Sequence, residues 1–189
     1  MTRVKQAFAA VAVILAATPA LAEGRLWRVD PAQSSLGFRY EVDGKETEGL
    51  FATFTGEARF DPAALAEADL TLDVETGSID LGEPVGTSFV KSVDWLFVEE
   101  HPTARFILTG LTGTGDGQFR AVGDLTMRGV TKEVMGDLTV TLGETMAIAT
   151  GEARFDRKEF GIGVGFSTLF VEIGPEVAVS FNLTATPVK

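Results

Sequence analysis

Few residues in this chain are equipped for bond-making chemistry. It has no Cys and a single His, His101, which stands before Pro102. Disulfides and thiolate metal sites are excluded, and one chain cannot assemble a multi-His metal site. Ser34-Ser35 and Ser167-Thr168 offer hydroxyls, but neither sits in a nucleophile-elbow sequence, and only His101 could activate them. Glu99-Glu100 and the Asp73/Glu75 pair could act as acid and base only if buried and close together. They fall on polar faces or at a helix end, where carboxylates are solvated. Gly161-Ile162-Gly163-Val164-Gly165 has the glycine density of a phosphate loop, yet no Lys-Ser/Thr follows and no helix opens there. Its small residues suit a close backbone approach or a mobile rim. These readings assign no catalytic residue, metal or cofactor, and a non-enzymatic role is expected.

What the chain has in quantity is apolar surface. Fourteen Phe stand beside one Tyr and two Trp, and hydrophobic residues make up 45% of the sequence. Phe fills space without demanding a hydrogen-bond partner, which suits a dry core or a pocket for a hydrocarbon chain. The formal net charge of −11 argues for solubility and against nucleic-acid partners, since no basic patch reverses it locally.

The first 22 residues read as a removable export signal. Arg3 and Lys5 form a positive start, Ala7 to Ala17 a short apolar run, and Ala20-Leu21-Ala22 a small-x-small cleavage site before Glu23. The run is too short for a stable membrane anchor. Residues 23–189 then form a single domain, and the expected location is the periplasm.

The rest alternates with period two. Leu36, Phe38, Tyr40 and Val42 share a face, as do Leu50, Ala52, Phe54, Gly56, Ala58 and Phe60. The pattern returns at Leu70, Leu72 and Val74, at Phe106 and Leu108, and at Phe119, Ala121, Gly123, Leu125 and Met127. It continues through Val134 to Leu142, a strand over 145–155, and Val177, Val179, Phe181 and Leu183. About eight strands are expected. Pro62–Glu67 reads as a helical turn capped by Asp61, and Thr87–Glu100 as an amphipathic helix of one or two turns. With no helix between consecutive strands, a parallel sheet is not expected. Closure into a barrel removes exposed strand edges, and Gly56, Gly123, Gly136 and Gly151 suit its bends. A β-sandwich is the structural rival. An outer-membrane barrel fits poorly, for aromatic girdles are lacking and the chain ends Thr186-Pro187-Val188-Lys189. The segment Gly56–Asp61 recurs unchanged as Gly151–Asp156, either as two equivalent strand-to-turn corners or by coincidence.

Five motifs then carry a resemblance. Trp27-Arg28-Val29-Asp30-Pro31 with Ser34 or Ser35 and Phe38 opens the domain, followed by Gly49-Leu50-Phe51-Ala52-Thr53-Phe54. Lys91 to Phe97 leads into His101-Pro102-Thr103-Ala104-Arg105-Phe106. Gly123-Asp124-Leu125-Thr126-Met127-Arg128-Gly129-Val130-Thr131-Lys132-Glu133-Val134 and Arg157-x-x-Phe160-Gly161-Ile162-Gly163 complete the set. In this order they resemble the YceI-like, lipocalin-like periplasmic proteins over almost the whole mature chain. The resemblance implies an all-β, antiparallel, lipocalin-like barrel with one or two short helices. It also implies a long apolar cavity for a polyisoprenoid or similar amphiphile. Two departures touch the ligand's head group: Gln33 stands where many members have His, and Gly86-Thr87-Ser88-Phe89 replaces a charged cluster. The pattern leans toward the branch that accompanies membrane b-type cytochromes of the cytochrome b561 type, which implies a quinone-related role by analogy.

The expected site follows from alternation. Phe38, Phe54, Phe106, Phe119, Leu125, Phe160, Phe166 and Phe181 are to hold an apolar tail, with Trp95 and Phe97 capping it from the helix. Gln33, Tyr40, Arg128 and Arg157 are the polar rim. The expected partners are a long-chain lipid, a membrane cytochrome b and, as an oligomer, a homodimer.

Overall fold

Alternating apolar and polar residues fold here as antiparallel strands. A computed structural model describes residues 24–168 and 171–188, so the signal-peptide expectation over 1–22 lies outside the described residues. The elements are β1 (Arg25–Val29), β2 (Ser35–Val42), β3 (Lys45–Phe51), β4 (Phe54–Phe60), β5 (Asp69–Glu75) and β6 (Ile79–Asp80). After these come α1 (Pro84–Val90), β7 (Thr103–Gly115), β8 (Gln118–Met127), β9 (Val130–Leu142), β10 (Ala147–Asp156) and β11 (Ile173–Pro187). The hydrogen-bonded order is β1-β4-β5-β7-β8-β9-β10-β11-β2-β3-β6, and β1 also pairs with β11, so the sheet closes on itself.

Eleven strands occupy eight positions around this barrel because three positions are each shared by two segments. The long β11 pairs with β1 near its end (Val29 opposite Ala185) and with β2 further back (Phe38 opposite Val179). β1 and β2 are therefore one interrupted strand. β4 and β3 continue each other in the same way beside them, and then β5 and β6. The first interruption is a 3-10 turn at Pro31–Gln33, where the Asp30 carboxylate accepts from the Ala32 N–H at 3.0 Å. The second lies at Ala52–Thr53, held by Ser78: Ala52 N–H donates to its carbonyl at 3.2 Å and Thr53 N–H to its hydroxyl at 3.1 Å.

That second break corrects one expectation. A continuous strand from 50 to 60 would turn Leu50 and Ala52 inward; instead the parity slips, Leu50 is 47% exposed, and Phe51 faces the interior. The helix is also displaced. It spans Pro84–Val90 because Pro84 starts it and the Glu83 carboxylate caps the Val85 and Gly86 N–H groups. Beyond Val90 the chain turns, with Phe97 at φ 48°, so Trp95 and Leu96 are buried from a turn. The strand β1, which precedes the first alternating run, completes the closure. The repeated hexapeptides do form equivalent corners: each ends a strand, and each final Asp caps the turn that follows, Asp61 to Ala63 N–H and Asp156 to Lys158 N–H, both at 2.8 Å.

Antiparallel alternation puts α1, residues 91–102, the Arg128–Gly129 turn and residues 157–168 and 171–172 at one end of the barrel, called here the cap end. The tips of the β7–β8 and β9–β10 hairpins and residues 61–68 lie at the other, the hairpin end. Thr76 locks the cap to the wall: its N–H donates to Pro102 O at 2.9 Å and its hydroxyl to His101 O at 2.7 Å.

Three inward Phe rings lie over glycines of the next strand. A β-carbon on Gly49 would overlap the Phe38 ring, one on Gly123 the Phe106 ring, and one on Gly151 the Phe181 ring, at 2.7 Å in the last case. The rings thus lie along the wall and leave the lumen clear. On the outer face, cross-strand ion pairs follow the register, Arg105 with Asp73 at 2.6 Å and Arg120 with Asp137 at 2.8 Å. Such exposed pairs contribute little each.

Two outcomes are expected. Gly123→Ala forces its methyl into both Phe106 and the Ile107 carbonyl, and should destabilise the fold by about 1–3 kcal/mol in denaturant unfolding, as overpacking does. For Glu152, burial raises the carboxyl's proton affinity, but hydrogen bonds from Arg39 and Arg154 outweigh it and leave the pKa below the usual range. Its stabilising contribution is therefore complete above the unfolded value of about 4.3 and is lost as pH falls through the depressed folded value. Glu152→Gln should flatten the stability–pH curve in that acid window, as read by unfolding midpoints.

Candidate functional site

Inside the barrel is a cavity of about 310 Å³ with almost wholly apolar walls. Leu72, Leu108, Leu138, Val140, Val177 and Val179 supply branched aliphatic surface, while Ala121, Gly136, Ala149 and Ala153 thin the wall on β8, β9 and β10. Trp27, with Ala147, Ala185 and Phe60, closes the hairpin end. Arg25 lies over the Trp27 ring, 5.0 Å from its centre, and donates to Glu144 O at 2.8 Å. Val90, Trp95, Leu96 and Ile162 close the cap end. On β11, the level of Trp27 (opposite Pro187) and that of Tyr40 (opposite Val177) are ten residues apart. That is roughly 33 Å along the strand and about 25 Å along a barrel axis at the usual tilt. The space suits a chain laid lengthwise.

Of the expected tail residues, the structure brings Phe38, Phe106, Leu125, Phe181 and Trp95 together on this wall. Phe38 stacks near Tyr40 (6.1 Å) and Phe51 (5.3 Å). The others are placed elsewhere. Phe54 is buried in the core at the β4 break. Phe119 is buried edge-on to Phe60 at 5.5 Å. Phe160 falls on a 3-10 helix, 1% exposed, and packs edge-on against Phe155 at 5.2 Å, so Phe155 takes the wall position. Phe97, in its left-handed backbone conformation, packs edge-on to His101 at 5.8 Å. Phe166 is 74% exposed. Alternation misplaced these last three because they lie on no strand.

Among the expected rim residues, Tyr40 and Arg157 line the cavity. Burial, and secondarily the charge of Glu83, raises the Tyr40 pKa, keeping the phenol neutral. Gln33 is exposed on the outer 3-10 turn, its amide donating to Asp30 at 2.6 Å. Arg128 is a staple: one guanidinium nitrogen donates to Trp95 O and, at 2.7 Å, to Gly161 O. Arg157 does the same from within, 4% exposed, donating at 2.7 Å to the carbonyls of Ile162, Gly163, Ile173 and Gly174. The glycines of 161–165 serve this close approach. Gly163 N–H donates to Asp94 O at 2.8 Å, and a β-carbon there would meet Arg157 at 2.9 Å. Sequence reasoning missed Phe51, whose inward turn depends on the Ala52–Thr53 break, and Trp27, on a strand outside the alternating runs.

Two of the hydroxyls considered for catalysis, those of Ser34 and Thr168, are engaged with backbone. Ser34 donates to Asp30 O at 2.7 Å and accepts from Thr184 N–H at 2.9 Å, and Thr168 donates to Gly165 O at 2.8 Å. Among the described residues, no group of three His, Asp or Glu is placed to hold a metal ion.

Comparison with known proteins agrees with this architecture. A solved structure of BcnA from Burkholderia cenocepacia superposes with a TM-score of 0.77 at 28% identity, covering 84% of this chain and 99% of that one. A polyisoprenoid binding domain from Saccharophagus degradans, implicated in plant cell wall breakdown, gives a TM-score of 0.70 at 18% identity, over 86% of this chain and 98% of its own. In sequence, a UPF0312 protein of Vibrio cholerae serotype O1 is 30% identical over 149 residues, 75% of this chain and 79% of the relative. The YceI-like domain matches residues 27–185, from the tryptophan that closes the hairpin end to the alanine of β11 packed beside it. With the closed eight-position barrel and its interior apolar cavity, that match makes this chain a member of the YceI-like family.

Proposed function

We propose that the chain is a periplasmic carrier holding one long apolar lipid, a polyisoprenoid, quinone or similar amphiphile, lengthwise in the barrel. The observation that carries this reading is the lumen itself. Its walls are aliphatic and aromatic, and the tips of its Phe38, Phe106 and Phe181 rings reach over Gly49, Gly123 and Gly151, into space a β-carbon would occupy. An apolar chain entering such a space gains about 0.8 kcal/mol per methylene removed from water. The Saccharophagus degradans relative, described as a polyisoprenoid binding domain, supports the same ligand class here. The export-type start at residues 1–22 supports the periplasmic location, and the scarcity of nucleophiles and bases supports binding over catalysis.

The test is to produce the full chain in a Gram-negative host, purify it from the periplasm, and extract it with organic solvent for mass spectrometry. The expected results are an intact mass lacking residues 1–22 and a polyprenyl or quinone species near one per protein. Purified protein that carries no lipid, and takes up no apolar fluorescent probe, would contradict the carrier reading. That outcome would favour an accessory role beside a membrane b-type cytochrome.

A further inference from the structure

The polar groups that meet the cavity at its cap end are all hydrogen-bond donors. Arg157 and Trp95 line the cavity there and are 4% and 6% exposed. The indole N–H of Trp95 is buried with no acceptor, as is that of Trp27 at the hairpin end, so it is the unpaired guanidinium charge that distinguishes the cap end. The Tyr40 hydroxyl, on the same wall, makes no hydrogen bond among the described residues. Arg128 stands just behind, bonded to the carbonyl of Trp95 and to that of Gly161, next to the carbonyls that hold Arg157.

The charge pattern is equally one-sided. On the outer face Arg28, Arg39, Arg105, Arg120 and Arg154 each pair with a carboxylate. Arg128 and Arg157 do not: among the described residues their hydrogen bonds run to backbone carbonyls, and neither forms an ion pair. Asp156, adjacent in sequence, lends Arg157 a partial opposing field only. Glu83, whose field reaches Tyr40, has its carboxylate bound by the Val85 and Gly86 N–H groups. The hairpin end differs, since the cavity-lining Arg59 faces the Asp69 carboxylate at 3.6 Å. A buried cation without a counter-ion is strongly unfavourable in a low-dielectric wall, and an anion brought close relieves it.

We infer that the cap end is a receptor for an oxyanion head group, a carboxylate or phosphate, carried by the lipid whose tail runs toward Trp27. Resting on the carrier reading, this inference adds the orientation of the ligand and the charge of its head. Two guanidinium groups bias the site at short range, and the Trp95 and Tyr40 donors supply hydrogen bonds to its oxygens. The overall negative charge of the chain keeps free anions away, so occupancy requires the tail as well.

The test compares three ligands of one chain length, a fatty acid, the corresponding primary alcohol and the corresponding trimethylammonium compound. Each displaces an apolar fluorescent probe from the full mature protein at pH 8. The acid is expected to bind at least about tenfold tighter than the alcohol, with the cationic compound weakest, as Coulomb attraction across a partly buried site dictates. In Arg128→Gln the acid-to-alcohol affinity ratio should fall, with an unchanged strand circular-dichroism spectrum reporting an intact barrel. Equal binding of acid and alcohol, or tighter binding of the cation, would overturn the oxyanion site and leave the carrier reading standing. Failure of all three to displace the probe, or of the probe to bind, would count against the carrier reading itself.

Discussion

The placement of three aromatic rings over three glycines governs much of what this molecule can be. A barrel of eight strand positions has an interior that ordinary side chains just fill, and thirteen Phe in residues 24–189 would be ample to fill it. Cross-strand contact with Gly49, Gly123 and Gly151 lets the ring tips of Phe38, Phe106 and Phe181 reach over bare backbone and stay beside the wall. The same rings that would make a solid core thereby make an apolar surface around open space. Alanines on β8 and β10 extend the effect by keeping the neighbouring wall thin. Stability must come from the sheet's closed hydrogen-bond ladder and from the clusters at the two ends.

The cap end shows how such a barrel can be shut without a long helix. Seven residues of α1 and a run of turns cover the opening, and turns leave backbone carbonyls without partners. Arg128 and Arg157 answer that need by donating to six of them between Trp95 and Gly174. A guanidinium is suited to the task because its donors form a rigid planar fork that remains charged even when desolvated. The structural role and the ligand role are not rivals here. Satisfying the carbonyls brings positive charge to one end of a low-dielectric cavity, and that charge then distinguishes the two ends for whatever enters.

Period-two alternation was enough to read antiparallel strands and a closed barrel, because each inward face is apolar over most of its length. It failed where a single residue resets parity. The Ala52–Thr53 break depends on Ser78, about twenty-five residues away, so Leu50 and Phe51 exchange sides with no local sign of it. The helix start is written in Glu83-Pro84, a cap followed by proline, whereas the apolar run at 95–97 belongs to a turn and has no helical period to obey. Phe160 and Phe166 lie on segments without strand geometry, where alternation has no meaning. The arginine roles were hidden for another reason: backbone carbonyls leave no trace in sequence, so a staple and a ligand contact look alike. The wall residues Phe38, Phe106, Leu125 and Phe181 were found because each sits inside a long regular strand.

The central claim is that the lumen is open, dry and apolar. Diffraction from a delipidated crystal pressurised with xenon tests it most directly, because xenon occupies apolar voids that exclude water. Xenon density bounded by the Phe38, Phe106 and Phe181 rings, each still lying over its glycine, is the expected result. Rings swung across the lumen with no xenon between them, or a column of ordered water in its place, would contradict the account.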